Sequence, residues 1–187
     1  MSARTSWKSV RLLALVLATA FAAPAELPGE TAGEYAVKAA FLFHFAQFVE
    51  WPAGAFKGPA SPLTYCTIGD DPFRGVLEES VQGKIVGSRA LQVQHLKERE
   101  QIAGCQILFI GAAEKKHLAE DLAVAAGHAV LTVGETENFV QDGGVIGFVL
   151  ENDKVRFEIN VDTAGKAKLR LSSRLLLLAK TVIGNQK

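Results

Sequence analysis

Short apolar segments alternate with helical segments through the middle of the sequence, and few folds accommodate such an alternation. The predicted strands are residues 63–68, 85–93, 107–110 and 129–133, and the helices predicted between them are residues 73–81, 96–102 and 114–126. Residues 107–110 read Ile-Leu-Phe-Ile, and an uninterrupted apolar run is typical of a strand covered on both faces. Strands and helices at this spacing favour βαβ units, and therefore a largely parallel sheet.

An aromatic helix is predicted before the first strand, from residue 32 to residue 49. Its large side chains recur at steps of three and four positions and form one broad face: Tyr35, Lys38, Phe41, Leu42, Phe45, Phe48 and Val49. So many aromatic residues on one helix usually belong to the core. The alternative is that Phe41 and Phe45 contribute to an apolar surface that contacts another subunit or a partner.

The last third of the sequence predicts a different arrangement. Residues 145–150 and 155–159 flank Asn152-Asp153, a pair that is typical of a hairpin turn. A closing helix is predicted over residues 175–183. The predicted fold class is therefore a single α/β domain over residues 30–184, with a mostly parallel sheet flanked by helices and a C-terminal antiparallel hairpin.

Residues 1–25 have the pattern of a secretory signal peptide. Basic residues precede a short apolar run, and small residues allow cleavage after Ala22 or Ala25. The alternative is an N-terminal membrane anchor, but a spanning helix needs about 20 apolar residues and this run is shorter. We therefore expect an exported chain that does not span a membrane after processing. Basic and acidic residues number 20 each in the whole chain, so loss of the basic leader leaves a mildly acidic protein, which disfavours nucleic acid as a partner.

The sequence contains two cysteines, Cys66 and Cys105. In an exported chain, a pair of cysteines more often forms a disulfide than a metal site or a catalytic thiol. The alternative is a pair of buried free thiols. A disulfide here would close a loop of about 40 residues and stabilise the fold by about 4 kcal/mol in the chain-entropy description.

The sequence shows no arrangement typical of an enzyme or a metal site. The four histidines, His44, His95, His117 and His128, lack the spacing that places two ligands on one helical face. No nucleophile motif or nucleotide-binding fingerprint is present. We therefore expect a binding or interaction domain that is not an enzyme and that uses no metal and no cofactor.

The densest group of basic residues comprises Lys166, Lys168, Arg170 and Arg174. The first three alternate along the sequence, so in an extended segment they would share one face and bind a small anion. The alternative is a solvated surface. A periplasmic module that binds a small anion through Arg170, Lys168 and Arg174 is the second functional hypothesis.

Several motifs, in order along the chain, carry information that periodicity does not. They are residues 34–42 (EYAVKAAFL), 50–52 (EWP), 68–73 (IGDDPF), 105–110 (CQILFI), 131–133 (LTV), 143–146 (GGVI), 155–160 (VRFEIN) and 171–179 (LSSRLLLLA). On these residues, which extend over nearly all of the mature chain, the sequence resembles the YfiR-like family.

This resemblance implies a periplasmic regulator of Gram-negative bacteria. The best-known member of the family represses an inner-membrane diguanylate cyclase by binding its periplasmic sensor region. An outer-membrane lipoprotein sequesters that repressor, which releases cyclic-di-GMP synthesis and favours biofilm formation. Other members accompany different membrane sensors, including histidine kinases, and dimers occur in the family. The resemblance therefore implies a non-enzymatic repressor that acts through protein–protein contacts, with a membrane sensor as partner and a homodimer as a further expectation.

The resemblance also directs attention to particular residues. Cys66 and Cys105 match a family disulfide position, whereas a second family pair would fall near Val140 and Gly147, where this sequence has no cysteine. We expect partner contacts at Glu158 and Lys166, in a charged, turn-rich region beside family motifs. Phe41 and Phe45 form a second expected contact surface.

Overall fold

The computed structural model describes residues 28–185, and the predicted signal peptide lies outside the described residues. The helices are α1 Pro28–Phe48, α2 Val76–Val81, α3 Leu118–Ala125, α4 Val161–Lys166 and α5 Ser173–Leu178. The strands are β1 Val49–Glu50, β2 Leu63–Ile68, β3 Ile85–Val86, β4 Arg89–Leu96, β5 Ile107–Ile110, β6 Leu131–Gly134, β7 Ile146–Glu151, β8 Lys154–Asn160, β9 Arg170–Leu171 and β10 Thr181–Ile183. Short 3-10 helices occupy Ala53–Ala55, Arg99–Gly104 and Ala112–Lys116.

Eight strands form the main sheet in the order β10-β8-β7-β6-β5-β2-β4-β3. Strand β2 lies parallel to β4 and β5, β5 lies parallel to β6, and β6 lies parallel to β7. Strands β7 and β8 form an antiparallel hairpin, and β10 lies parallel to β8. A separate antiparallel pair joins β1 to β9. The predicted fold class, an α/β domain with a mostly parallel sheet and a C-terminal hairpin, is confirmed.

In the central strands of the sheet, the side chains on both faces are buried. All residues of β2, β5 and β6 are buried, as expected for parallel strands covered on both sides. On one face, Phe45 of α1 packs against Phe148 and Phe157, with ring centroids 5.8 and 5.1 Å apart. On the other face, a second cluster includes Ile102, Leu108 and both cysteines. The aromatic face of α1 is therefore part of the core.

The hairpin turn at Asn152-Asp153 forms as predicted. Both residues have positive φ values, 50° and 59°, which is the conformation of a type I′ turn. Asn and Asp tolerate this left-handed conformation better than most residues because their short polar side chains form local hydrogen bonds. Glu151 and Lys154 are paired on either side of the turn, which fixes the register of β7 against β8.

Three predicted boundaries on the N-terminal side were wrong. Helix α1 begins at Pro28, four residues before the predicted start, and proline at a first helical position loses no helical hydrogen bond. Residues 85–93 do not form one strand, because Gly87, with a φ of 59°, turns the chain and separates β3 from β4. Helix α2 begins only at Val76, since the Asp71 carboxylate accepts hydrogen bonds from the Phe73 and Arg74 amides in a turn that precedes it.

The predicted closing helix over residues 175–183 was also wrong in extent. Ser172 caps α5, its hydroxyl oxygen accepting a hydrogen bond from the Leu175 amide. The helix ends at Leu178 because Ala179 adopts an extended conformation and the Lys180 amide donates to the Phe157 carbonyl. The chain then pairs with β8 as β10, so tertiary pairing replaces the last helical turn.

Candidate functional site

The carboxyl ends of the parallel strands β5 and β6 lie next to each other, and this edge is where open α/β sheets commonly bind ligands. Gly111 and Ala112 follow β5, and Glu135 directly follows β6. Helix α1 supplies Glu34, Tyr35 and Lys38 to the same region, so one cleft combines residues from distant parts of the chain.

Lys38 is the central charge of this cluster. Its side chain is 5% exposed, although it projects from the otherwise apolar face of α1. The ammonium contacts the carboxylates of both Glu34, one helical turn earlier, and Glu135. It also lies 4.5 Å from the centroid of the Tyr35 ring. The cost of burying this ammonium is offset by the two carboxylates beside it.

Glu135 is fully engaged by its neighbours. One carboxylate oxygen accepts hydrogen bonds from the Tyr35 hydroxyl at 3.0 Å and from the Ala112 amide at 2.9 Å, and the other contacts Lys38. Burial raises the pKa of the Tyr35 phenol well above its usual value, and the adjacent Glu135 charge raises it further. The three side chains therefore tie α1 to the ends of β5 and β6.

The cleft beside this cluster has a volume of about 410 Å³. Strand β7 lines its apolar side, with the side chains of Phe148 and Leu150 on the same face of the sheet. Thr136 also lines it, and the Thr136 hydroxyl is buried without a hydrogen-bond partner among the described residues. Exposed Glu137 stands at the rim. We call this space the Lys38 cleft.

Cys66 and Cys105 form a disulfide, with their Cα atoms 5.9 Å apart. Cys66 lies in β2 and Cys105 just before β5, and the residues are 1% and 2% exposed. The bridge therefore joins two adjacent central strands inside the core. At the positions of the second family pair, a Cβ on Gly147 would lie 3.4 Å from the Val140 side chain. These two positions are neighbours in space, although neither is a cysteine here.

The residues of the two expected partner surfaces differ in position and in exposure. Phe45 is 1% exposed, and Phe41 is partly buried with its ring centroid 5.4 Å from that of Phe157. Because side chains alternate along a strand, Glu158 lies on the face opposite Phe157 and is half-buried. Exposed Lys166 ends α4 and lines a groove with residues of α3. Phe45 offers almost no surface to a partner in this fold, whereas Glu158 and Lys166 keep exposed surface and remain predicted contacts.

The basic residues of the anion-binding hypothesis do not lie along one extended segment. Lys166 is the last residue of α4, and Lys168 occupies a turn with a φ of 58°. Arg170 lies in β9 with a side chain that is 86% exposed, and its nearest acidic group is Glu50 at 3.8 Å. Arg174 is exposed on α5. The predicted extended segment was wrong because Lys166 belongs to α4, Lys168 to the following turn and Arg170 to β9.

Sequence reasoning missed two features that the structure contains. The Lys38 cleft depends on contacts between α1 and the end of β6, and its signal in the sequence was one lysine on an apolar helix face. The second feature is a group of exposed apolar side chains near the C-terminus. Leu177 is 84% exposed, Leu178 is 57% exposed and Val182 of β10 is 42% exposed.

Two further properties concern residues 28–185 only. Within this range, no group of three or more His, Cys, Asp or Glu side chains is arranged to hold a metal ion. None of the helices described there is both long enough and apolar enough to cross a membrane.

Comparisons with known proteins give one family and a general likeness of fold. The family described as YfiR/HmsC-like matches residues 35–180. A conserved domain protein from Vibrio cholerae O1 biovar El Tor is similar in structure, with a TM-score of 0.50 and 7% identity over 65% of this chain and 55% of that chain. The ABC domain in complex with L-Trp from Streptococcus pneumoniae gives a TM-score of 0.46 and 10% identity over 64% of this chain and 55% of that one. This chain thus spans about half the length of each solved chain.

Proposed function

Because the chain belongs to the YfiR/HmsC-like family, we propose that it is a non-enzymatic periplasmic regulator that binds the periplasmic sensor region of an inner-membrane signalling protein. The observation that carries the proposal is the extent of the family match. Residues 35–180 include every strand except β10, so the match concerns the whole domain and not one motif. The partner that the family favours is a diguanylate cyclase, whose synthesis of cyclic-di-GMP the regulator represses.

The expected mechanism is a shift between two states of the membrane partner. A protein that binds the inactive state of a cyclase more tightly than the active state raises the population of the inactive state. Changing the ratio of the two states from 1:99 to 99:1 requires an affinity difference of about 10⁴-fold. The regulator therefore needs a contact surface but no catalytic group. Sequestration by an outer-membrane lipoprotein and formation of a homodimer belong to the same proposal.

Two observations support a periplasmic location. The Cys66–Cys105 disulfide is of the kind that persists in oxidising compartments such as the bacterial periplasm. The predicted signal peptide at residues 1–25 would deliver the chain there.

The surface that we propose for the partner comprises Arg174, Leu177, Leu178 and Val182, and we call it the α5 surface. Large apolar side chains on a short exposed helix are unfavourable in water unless another molecule covers them. Val182, which is 42% exposed, lies shortly after α5 in the chain, on β10 at one edge of the sheet. Glu158 and Lys166, the contacts predicted from the sequence, are the alternative.

A complementation experiment tests the proposed function. Deleting the gene should raise cellular cyclic-di-GMP, and expression of the full-length chain should restore the original level. A variant without residues 2–25 provides the control for location, because it should stay in the cytoplasm and fail to restore the level. Cross-linking in intact cells should join the exported chain to an inner-membrane protein that has a periplasmic region.

The outcomes separate the alternatives. Recovery of a histidine kinase in place of a cyclase would retain the proposed mechanism and change the pathway. If the deletion leaves cyclic-di-GMP unchanged and no membrane protein is cross-linked, while a known periplasmic pair is captured under the same conditions, the proposed function is wrong.

A further inference from the structure

The Lys38 cleft contains more negative than positive charge. Glu34, Glu135 and Glu137 contribute carboxylates, and Lys38 contributes the one ammonium among the cleft residues that the structure describes. Partly enclosed clefts lined by charges of one sign concentrate ligands of the opposite sign. The cleft therefore favours a cation, in contrast to the anion expected from the basic residues of the C-terminal region.

Lys38 is not available to a ligand. Its ammonium already contacts two carboxylates and lies over the Tyr35 ring, and its side chain is almost fully buried. Glu135 is engaged as well, by Lys38, Tyr35 and the Ala112 amide. The ion pair forms the inner wall of the cleft and leaves the binding of a ligand to other groups.

Three groups in the cleft retain unused hydrogen-bonding capacity. One Glu34 carboxylate oxygen contacts Lys38, and the Glu34 side chain is 24% exposed. The Glu137 carboxylate is exposed at the rim. Thr136 is 6% exposed, and its hydroxyl is unpaired among residues 28–185, which is unfavourable in a protein interior. A buried hydroxyl without a partner needs an explanation, and in a cleft a bound ligand group supplies one.

The opposite wall of the cleft is apolar. Phe148, Val149 and Leu150 follow one another along β7, and Leu150 is 59% exposed. A ligand with a short apolar group would cover Leu150 and gain the free energy of removing apolar surface from water. We propose that the Lys38 cleft binds a small organic cation, namely a primary amine that carries a short alkyl or aryl group. The ammonium is held by Glu34, Glu137 and the Thr136 hydroxyl, and the apolar group lies against β7.

This inference goes beyond the proposed regulatory function and does not depend on it. Binding of an amine is measured on the purified chain without a membrane partner. The cleft could bind amines even if the proposed regulatory function is wrong, and the regulatory function could be correct even if the cleft binds no amine.

The experiment compares three probes that share a phenyl ring and a two-carbon chain: phenethylamine, phenethyl alcohol and hydrocinnamate. At pH 7 they present a cation, a neutral hydroxyl and an anion. We expect phenethylamine, at concentrations up to about 10 mM, to raise the Tm of the oxidised protein, and we expect the other two probes to leave it unchanged. The effect of the amine should decrease as the salt concentration rises. Equal shifts with all three probes, or no shift with the amine, would overturn the proposal.

Two variants locate the site. Glu137→Gln removes an exposed charge and should fold normally, and Thr136→Val removes the unpaired hydroxyl while it preserves the shape of the side chain. Each should weaken amine binding about tenfold in isothermal titration, because a hydrogen bond to a charged group is lost. The control is Glu120→Gln, which changes a 65% exposed carboxylate on α3 and should leave the affinity unchanged. Unaltered affinity in both cleft variants would place amine binding elsewhere and contradict the proposal.

Discussion

The ammonium of Lys38 lies against the carboxylate of Glu135, although the two residues are 97 positions apart in the sequence. Their side chains are 5% and 7% exposed. The pair connects the first helix to the end of the central strand β6, and Tyr35 adds a hydrogen bond to the same carboxylate. The position of α1 on the sheet therefore depends on electrostatic contacts as well as on aromatic packing.

Replacing Lys38 with methionine should be strongly destabilising. The substitution preserves much of the side-chain volume but leaves the buried Glu135 carboxylate without its cation, and removal of one partner of a buried pair costs about 3–5 kcal/mol. The control is Lys180→Met. Lys180 pairs with Glu151 at 2.9 Å on the surface, where such pairs contribute about 0–1 kcal/mol. Urea unfolding followed by circular dichroism measures the free energy of unfolding of both variants. Equal decreases in the two variants would show that the Lys38 pair is not a buried electrostatic contact.

Removing the disulfide should lower stability without changing the fold. The double variant Cys66→Ala/Cys105→Ala opens a loop between residues 39 positions apart, for which the chain-entropy description gives about 4 kcal/mol. Guanidinium unfolding of the wild-type protein should show a similar decrease in the free energy of unfolding when a reductant is added. If the variant is as stable as the oxidised protein, the bridge does not stabilise the domain.

Gly144→Ala should be destabilising because the position has no space for a methyl group. A Cβ there would lie 2.0 Å from the ring of Phe139, which is buried. Overpacking of this kind costs about 1–3 kcal/mol. Gly165→Ala in α4 is the matched control, since no atom lies within 4 Å of its added Cβ and alanine favours a helix by up to about 1 kcal/mol. In a Phe139→Ala background, Gly144→Ala should cost less stability than it does in the wild type, because the ring that the added methyl group meets is gone, and thermal unfolding measures the single and double variants.

Alkaline unfolding should accompany ionisation of the tyrosines. The chain contains two, Tyr35 and Tyr65, and burial raises the pKa of both phenols well above the usual value of about 10. Above about pH 10 the unfolded chain loses phenolic protons that the native state retains. The contribution of the two phenols to the free energy of unfolding is therefore complete below that pH, and it is lost as the pH rises towards their pKa in the native state.

The phenolate absorbance gives the measurement. In the native protein it should appear together with the loss of circular dichroism, whereas in guanidinium both tyrosines should titrate near pH 10. Titration of a phenol near pH 10 in the folded protein would contradict the burial of that side chain.

Polar substitutions on the α5 surface should reduce partner binding while stability is maintained. Leu177→Ser/Leu178→Ser replaces side chains that are 84% and 57% exposed, so little apolar packing is lost within the chain. Ile85→Ser is the control, because Ile85 is 65% exposed on β3, at the opposite end of the sheet. Cross-linking to the membrane partner should fall only in the α5 variant. If Glu158→Lys/Lys166→Glu abolishes binding and the α5 variant does not, the contact surface is the one predicted from the sequence.

Local patterns were sufficient to predict the strands β2, β5, β7 and β8 and the turn between the last two. An apolar run with no charge, such as Ile107–Ile110, has few stable environments other than a covered strand. The elements that were predicted wrongly are those whose state depends on a distant partner. Residues 181–183 were predicted to end a helix, but they form β10 because β8 offers unpaired backbone groups beside them. Sequence spacing does not contain that information.

The sequence by itself determined the α/β class, the pairing of two cysteines and the order of family motifs, because periodicity, composition and short motifs are properties of neighbouring residues. The tertiary structure alone decided which side chains meet. The sequence placed Lys38 on an apolar helix face, and only the packing of α1 against the sheet brings Glu135 beside it. The sequence predicted that the basic residues from Lys166 to Arg170 share one face, but they belong to a helix end, a turn and a short strand. A buried charge requires a partner close in space, and the distance between two side chains depends on the packing of elements far apart in the chain.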